Sequence, residues 1–134
     1  MATLQSTITY IQTELAKVSS IRAAPQYPPE QLNVFPIAVC FPRSGRFEPR
    51  SSGWSQQFHD IVVQIHVARK DLARDVAAFS GIPEAIAAAL LADPTLGGNV
   101  STFQKISYTF GELGWGGAQT IGFSFVIEGV KINA

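Results

Sequence analysis

The chain has 134 residues, of which 46% are apolar and only 15% are charged. This composition excludes an intrinsically disordered protein, and the length fits one domain over residues 1–134. Ten basic and ten acidic residues balance, so the net charge gives no general attraction to nucleic acid or to an anionic membrane. The small number of charged residues also indicates that another protein covers part of the surface.

The sequence carries no signal for export or membrane insertion. Its apolar runs are much shorter than the roughly 20 residues that a membrane-spanning helix needs. The first residues, among them Gln5 and Thr7, lack the basic and then apolar pattern of a secretion signal. We therefore expect a soluble protein that remains where it is made. Cys40 is the only cysteine, and its apolar neighbours predict a buried structural thiol rather than a nucleophile.

The first third of the chain predicts a helix, a connector and a short strand. Apolar residues at spacings of three and four indicate an amphipathic helix over Thr3–Ile21. Three prolines in segment 24–30 indicate an ordered connector. The mostly apolar stretch Val34–Phe41 predicts a strand, in which Pro36 indicates a sheet edge or an irregular start. The buried stripe of the helix would consist of Leu4, Ile8, Ile11, Leu15 and Val18.

A long loop is predicted between Pro42 and Gln57, because Gly, Pro and Ser recur there without a hydrophobic period. Gly45, Pro49 and Gly53 are expected to prevent a regular element. The residues that follow alternate and predict a half-buried antiparallel strand, so the loop joins two strands as an extended hairpin. The inward residues of this strand would be Ile61, Val63, Ile65 and Val67, and the outward ones Asp60, Gln64 and His66.

The second half of the chain predicts another helix and two more strands. Asp71 can cap the helix, and Gly81 with Pro83 is expected to break it and leave a second, alanine-rich piece. Alternating runs at residues 100–110 and 119–132 predict two strands joined by a glycine-rich hairpin tip.

These elements together predict an α+β fold. We expect a four-stranded antiparallel or mixed sheet with two main helices packed on one face and a long hairpin loop between the first two strands. In the last strand the apolar residues change phase after Ile127, which predicts a bulge at Gly129.

The residues that could carry catalysis or bind a metal are few. His59 and His66 are the only histidines; seven positions apart in one strand, they would lie on opposite faces and roughly 23 Å apart. The glycine-rich segment 111–117 lacks the lysine and the following helix of a phosphate-binding loop. We therefore predict no enzyme activity, no bound metal and no organic cofactor.

The long loop is the candidate functional site. Its arginines give it a net positive charge, and Arg and Trp are the residue types that most often anchor protein interfaces. Arginine can also bind phosphate. Three interpretations remain open: a solvated loop, a partner surface, and a DNA contact. The partner-surface hypothesis predicts a loop that becomes ordered in an assembly, with interface residues Arg43, Arg46, Phe47, Arg50 and Trp54.

The order of these features resembles a known family. A proline-rich segment, Tyr27–Asn33, precedes the apolar segment Phe35–Val39; a Gly- and Arg-rich loop then ends near Trp54, and an alternating strand ends in Val67–Leu72. The chain resembles the small neck and tail-completion proteins of long-tailed bacteriophages, particularly the tail terminators. This resemblance covers most of the chain.

The resemblance implies a helix-plus-sheet fold and a hexameric ring at the head-proximal end of the tail tube. It also implies contacts with the major tail tube protein and with the head–tail connector or neck proteins, in a virion assembled in the host cytoplasm. Non-specific contact with DNA in the lumen is an alternative role of the loop. The competing hypotheses are another neck, head-closure or minor tail protein, and a small non-catalytic ligand-binding domain of α+β class.

Overall fold

The computed structural model describes residues 2–32, 34–49, 55–67 and 80–132. Two helices and an antiparallel sheet in this part of the chain confirm the predicted α+β class. In chain order the elements are α1 (Leu4–Leu15), β1 (Ile37–Pro49), β2 (Ser55–Val67), α2 (Ile82–Leu91), β3 (Val100–Thr102), β4 (Lys105–Trp115) and β5 (Ala118–Ile132).

The sheet is antiparallel throughout and is centred on β2 and β5. β1 pairs with β2, β2 pairs with β5, and the other side of β5 pairs with both β4 and the short β3. Among the described residues, β1 and β4 are therefore the outer long strands, on opposite edges. The single strand predicted at residues 100–110 is divided into β3 and β4. Phe103 and Gln104 lie between the two strands, and the register shift against β5 falls within β3, between Val100 and Thr102.

Both helices pack on one face of the sheet, as predicted. The inward residues of β2 and β5 and the apolar stripes of α1 and α2 form one buried cluster. The predicted inward residues Ile61, Val63, Ile65 and Val67 are all fully buried. The thiol of Cys40 is also buried, and burial raises its pKa to about 12. This confirms the structural role expected from its apolar neighbours.

The first helix is shorter than predicted. It begins with a capping box in which the Thr3 side chain accepts a hydrogen bond from the Ser6 backbone and Ser6 reciprocates. It ends at Leu15 rather than at Ile21. Ser19 and Ser20 compete for backbone hydrogen bonds and favour turns, yet Ile21 still reaches the core from the turn that follows the helix.

The prediction of a long irregular loop between Pro42 and Gln57 is wrong about the length of the loop. β1 continues to Pro49 and β2 starts at Ser55, with Phe47 opposite Gln57. Pro49 is tolerated because the outer side of an edge strand needs no backbone donor. Gly45 is tolerated because it lies opposite His59, and a Cβ at position 45 would collide with the His59 ring.

Two local signals of the second half are confirmed. α2 begins after Gly81 with Pro83 in its first turn, where the start of the second, alanine-rich piece was predicted. The predicted helical residues 71–79 lie outside the described residues. Gly129 has a φ of +68° and sits where the β2–β5 register shifts, and its backbone N–H donates to the Asp60 carboxylate at 3.1 Å. The bulge therefore occurs where the change of phase predicts it.

Candidate functional site

The candidate interface lies on an exposed extension of the β1–β2 hairpin, which we call the arm (residues 43–49 and 55–58). β2 pairs with β5 only as far as the Phe58–Lys131 pair. Beyond this point, from Phe47 opposite Gln57 to Pro49 opposite Ser55, the two strands of the arm pair only with each other among the described residues. The outer part of the arm, residues 47–49 and 55–57, therefore projects past the end of the sheet.

The β1 side chains of the arm, at residues 43–49, are exposed, whereas Gln56, Gln57 and Phe58 on β2 are half-buried. Phe47 is 63% exposed and contacts the rest of the chain through an edge-to-face contact with His59, at 5.8 Å between ring centroids. Arg46 is held locally: its Nε lies 2.6 Å from a Glu48 oxygen, and its guanidinium lies 4.3 Å from the centroid of Phe58. Exposed contacts of this kind contribute little to folding, so the residue types of the arm are not explained by stability.

Three of the five predicted interface residues, Arg43, Arg46 and Phe47, share this arm. Arg50 and Trp54 lie outside the described residues. Arg46 is neutralised within the arm by Glu48. Arg43, in contrast, makes no ion pair within the described ranges.

A second exposed surface lies between α2 and the β3–β4 side of the sheet; we call it the groove. It encloses about 590 Å³. Leu91 and Tyr108 on its walls are each 52% exposed, which is unusual for large apolar side chains that lie side by side. Phe125 closes the bottom of the groove. The apolar walls are Pro83, Ala87, Leu91, Phe103, Ile106 and Tyr108.

The groove was not predicted from the sequence. Alternation correctly places Ile106, Tyr108 and Phe110 on the helix-bearing face of the sheet, because each is opposite an inward residue of β5. The described helices leave this outer strand partly uncovered, and Tyr108 and Phe110 remain exposed. No periodic signal within β4 distinguishes a covered face from an uncovered one.

The opposite face of the sheet is closed by the tip of the β4–β5 hairpin. Trp115 on β4 contacts Phe41 and His66 at ring-centroid distances of 5.8 and 5.6 Å. Its indole N–H donates to the Pro29 carbonyl at 2.7 Å, so the proline-rich connector, the hairpin tip and β1–β2 are joined at one point. Sequence reasoning missed this cluster because its members are far apart along the chain.

His66 lies on the face of β2 that was predicted for it, but it is fully buried in this cluster rather than facing solvent. Its Nε2 lies 2.9 Å from the Gln64 amide oxygen, and its Nδ1 lies 2.6 Å from the Thr120 hydroxyl. Because the amide oxygen can only accept, Nε2 carries the proton and the Thr120 hydroxyl donates to Nδ1. Burial lowers the pKa of His66 to about 4 by disfavouring the imidazolium.

This pKa predicts a dependence of stability on pH. Between the ordinary pKa of 6.5 and about 4, the unfolded chain binds a proton at His66 and the native chain does not. The free energy of unfolding should therefore fall as the pH decreases through this range, by ~3 kcal/mol in total. Urea titrations at pH 7 and pH 4.5 measure the change.

The matched control for this prediction is His66→Gln, which retains a polar side chain but cannot titrate. Carboxylates that titrate in the same range contribute equally to both proteins, so the difference between the two pH dependences isolates His66. Equal pH dependence of the wild type and the variant would contradict the assignment.

No family model matches the chain, and no curated protein matches it.

Within the described ranges, no group of three or more His, Cys, Asp or Glu residues could hold a metal ion. No helix of the described part is both long and apolar enough to cross a membrane. Among the described residues, the arm and the groove both expose large apolar side chains that folding alone does not explain.

Proposed function

We propose that the chain is a structural subunit of a bacteriophage tail: a tail terminator that caps the head-proximal end of the tail tube as a ring and supports head–tail joining. The observation that carries the proposal is the presence of two different exposed surfaces on one sheet. The arm extends from the β1 side, and the groove lies on the β4 side. The resemblance of the sequence to neck and tail-completion proteins supplies the biological setting.

Two unlike surfaces on opposite sides of a subunit favour a ring over a two-fold dimer. A two-fold interface uses the same patch on both partners, whereas a head-to-tail interface joins one patch to a different one and closes after a fixed number of copies. β1 and β4 are the outer long strands of the described sheet, so contacts made through them would lie on opposite sides of each subunit. The resemblance to tail terminators suggests six copies.

In this assembly the ring would contact the major tail tube protein on one side and the head–tail connector or neck protein on the other. Arg43 is the described arginine of the arm without an intrachain ion pair, and charge-assisted hydrogen bonds to a neighbouring carboxylate would add specificity there. Non-specific contact of such arginines with DNA in the lumen is the alternative use of the same charge.

The first test is the mass of the purified chain. Native mass spectrometry is expected to give about six times the 14.5 kDa of one chain, because a head-to-tail contact closes on itself. The second test uses particles assembled without this protein. These should accumulate unjoined heads and tails, and adding the purified ring should restore joined particles.

The outcome of the joining test also separates the ring from related roles. A chain that binds isolated connectors but not tail tubes would be a head-closure protein instead. A chain that remains a monomer and restores no joining would overturn the proposal.

A small-ligand-binding domain is the second candidate, and the groove is the observation that favours it. A volume of about 590 Å³ with mainly apolar walls lies in the range of small-molecule sites. Such a protein would be monomeric or dimeric, so the same mass measurement distinguishes the two candidates.

A further inference from the structure

We propose that the groove of each subunit binds the arm of the next copy of this chain, with Phe47 inserted between α2 and β4. The inference rests on the ring proposed above, since it names the contact through which that ring would close. The arm of one copy would be the ligand, and the groove of the neighbouring copy would be its binding site.

The base of the arm and one end of the groove are at the same level of the sheet. On one side of β5, Lys131 is opposite Phe58 at the base of the arm. On its other side, Lys131 is opposite Thr102, a residue of the groove. The Thr102 end of the groove is therefore level with the base of the arm, near the end of β5, whereas Ile106 and Tyr108 lie further along the strand, opposite Ile127 and Phe125.

Equal height on opposite edges is what a closed ring requires. A rotation about an axis roughly parallel to the strands keeps the base of one subunit's arm level with the Thr102 end of the next subunit's groove. A shift would give an open helical filament, whereas its absence allows closure. The arm does not reach the groove of its own subunit, because β2 and β5 lie between them and the register of β1 with β2 directs the arm past the end of the sheet.

The two surfaces also match in polarity. Phe47 is a large apolar side chain of the arm that is mostly exposed, and the groove exposes Leu91 and Tyr108. Contact between them would remove all three from water at once, which is the role that buried aromatic anchors have in protein interfaces. The free subunit therefore carries both halves of one apolar contact.

The charges at the two surfaces are complementary. Arg43 at the base of the arm and Glu84 on the groove-facing side of α2 are both exposed, and neither makes an ion pair among the described residues. By contrast, Lys105 of the groove is neutralised by Glu128 at 3.3 Å. An incoming arginine would meet an unpaired carboxylate, which favours this orientation of the partner over its reverse.

Disulfide trapping tests the contact in the full chain. The double variant Phe47→Cys with Ala87→Cys, in a Cys40→Ala background, places one thiol on the arm and one in the groove of every subunit. Oxidation is expected to give a ladder from dimers up to the closed ring on a non-reducing gel. Each single variant should give at most dimers, because a chain with one thiol cannot extend a ladder.

The matched control moves the arm thiol by one position, to Glu48→Cys with Ala87→Cys. Neighbouring residues of a strand point to opposite faces, so this thiol should face away from the groove and give no ladder. Both arm positions are exposed, and neither substitution should prevent folding.

The outcomes separate this proposal from the proposed function. A wild-type ring whose Phe47→Cys with Ala87→Cys variant does not cross-link overturns the arm–groove contact and leaves the ring in place. Cross-linking that stops at dimers shows a reciprocal two-fold exchange and overturns the ring. A monomeric wild type without cross-links overturns both and leaves the groove to a small ligand.

Discussion

The substitution Gly122→Ala is expected to abolish the native fold, although it adds only one methyl group. Gly122 lies on β5 opposite His66 of β2, and a Cβ built on it would overlap the backbone carbonyl of Ile65. The obstacle is the main chain of the central strand rather than a side chain that can rotate. We therefore expect a loss of more than about 4 kcal/mol in the free energy of unfolding, measured by urea denaturation.

The control for this prediction is Gly111→Ala. Gly111 is directly opposite Gly122 in the β4–β5 register, so the two variants change the same residue type in one cross-strand pair. A Cβ at position 111 meets nothing within 4 Å, and the expected change is within about 1 kcal/mol. Similar stability of the two variants would show that β5 does not approach β2 as closely as the structure describes.

The elements that sequence predicted well are those with strong local patterns. The alternation of Ile61, Val63, Ile65 and Val67 defines the inward face of β2 because burial on one face selects every second residue. The Gly81 and Pro83 break marks the start of α2 for an equally local reason, the limits that these residues place on helical backbone.

The errors come from interactions between distant residues. Proline and glycine disfavour a strand in general. Pro49 is nevertheless tolerated because it lies on an edge strand, and Gly45 fits because a Cβ at this position would collide with the His59 ring. His66 has the polarity of an outward residue, but it is buried where it contacts Trp115 and Thr120, both far along the chain. Local composition shows neither the strand positions of Pro49 and Gly45 nor the burial of His66.

One part of the candidate site could be predicted from local sequence, and the other part depends on contacts between distant residues. Sequence composition identified the arm residues Arg43, Arg46 and Phe47, because unusual residue types in an unpatterned segment are visible locally. The groove depends on how much of β4 the described helices cover, and its walls come from α2, from β4 and from Phe103 between β3 and β4. The relation between arm and groove required the strand register.

The substitution Phe125→Ala is expected to lower the free energy of unfolding by about 3–5 kcal/mol. Phe125 is 1% exposed, lies opposite both Val63 and Tyr108, and forms the bottom of the groove. Neighbours on two strands hold the ring position, so the cavity cannot collapse without moving the sheet. Urea denaturation of the dissociated subunit, at a concentration below assembly, measures the loss.

The same substitution at the exposed phenylalanine, Phe47→Ala, provides the comparison. Phe47 is 63% exposed and has one ring contact, with His59, so the dissociated subunit should lose about 1 kcal/mol or less. Phe47→Ala should therefore weaken the ring although it leaves the stability of the single subunit nearly unchanged. A large loss of subunit stability in Phe47→Ala, or a loss below about 1 kcal/mol in Phe125→Ala, would show that the core and the arm have been assigned wrongly.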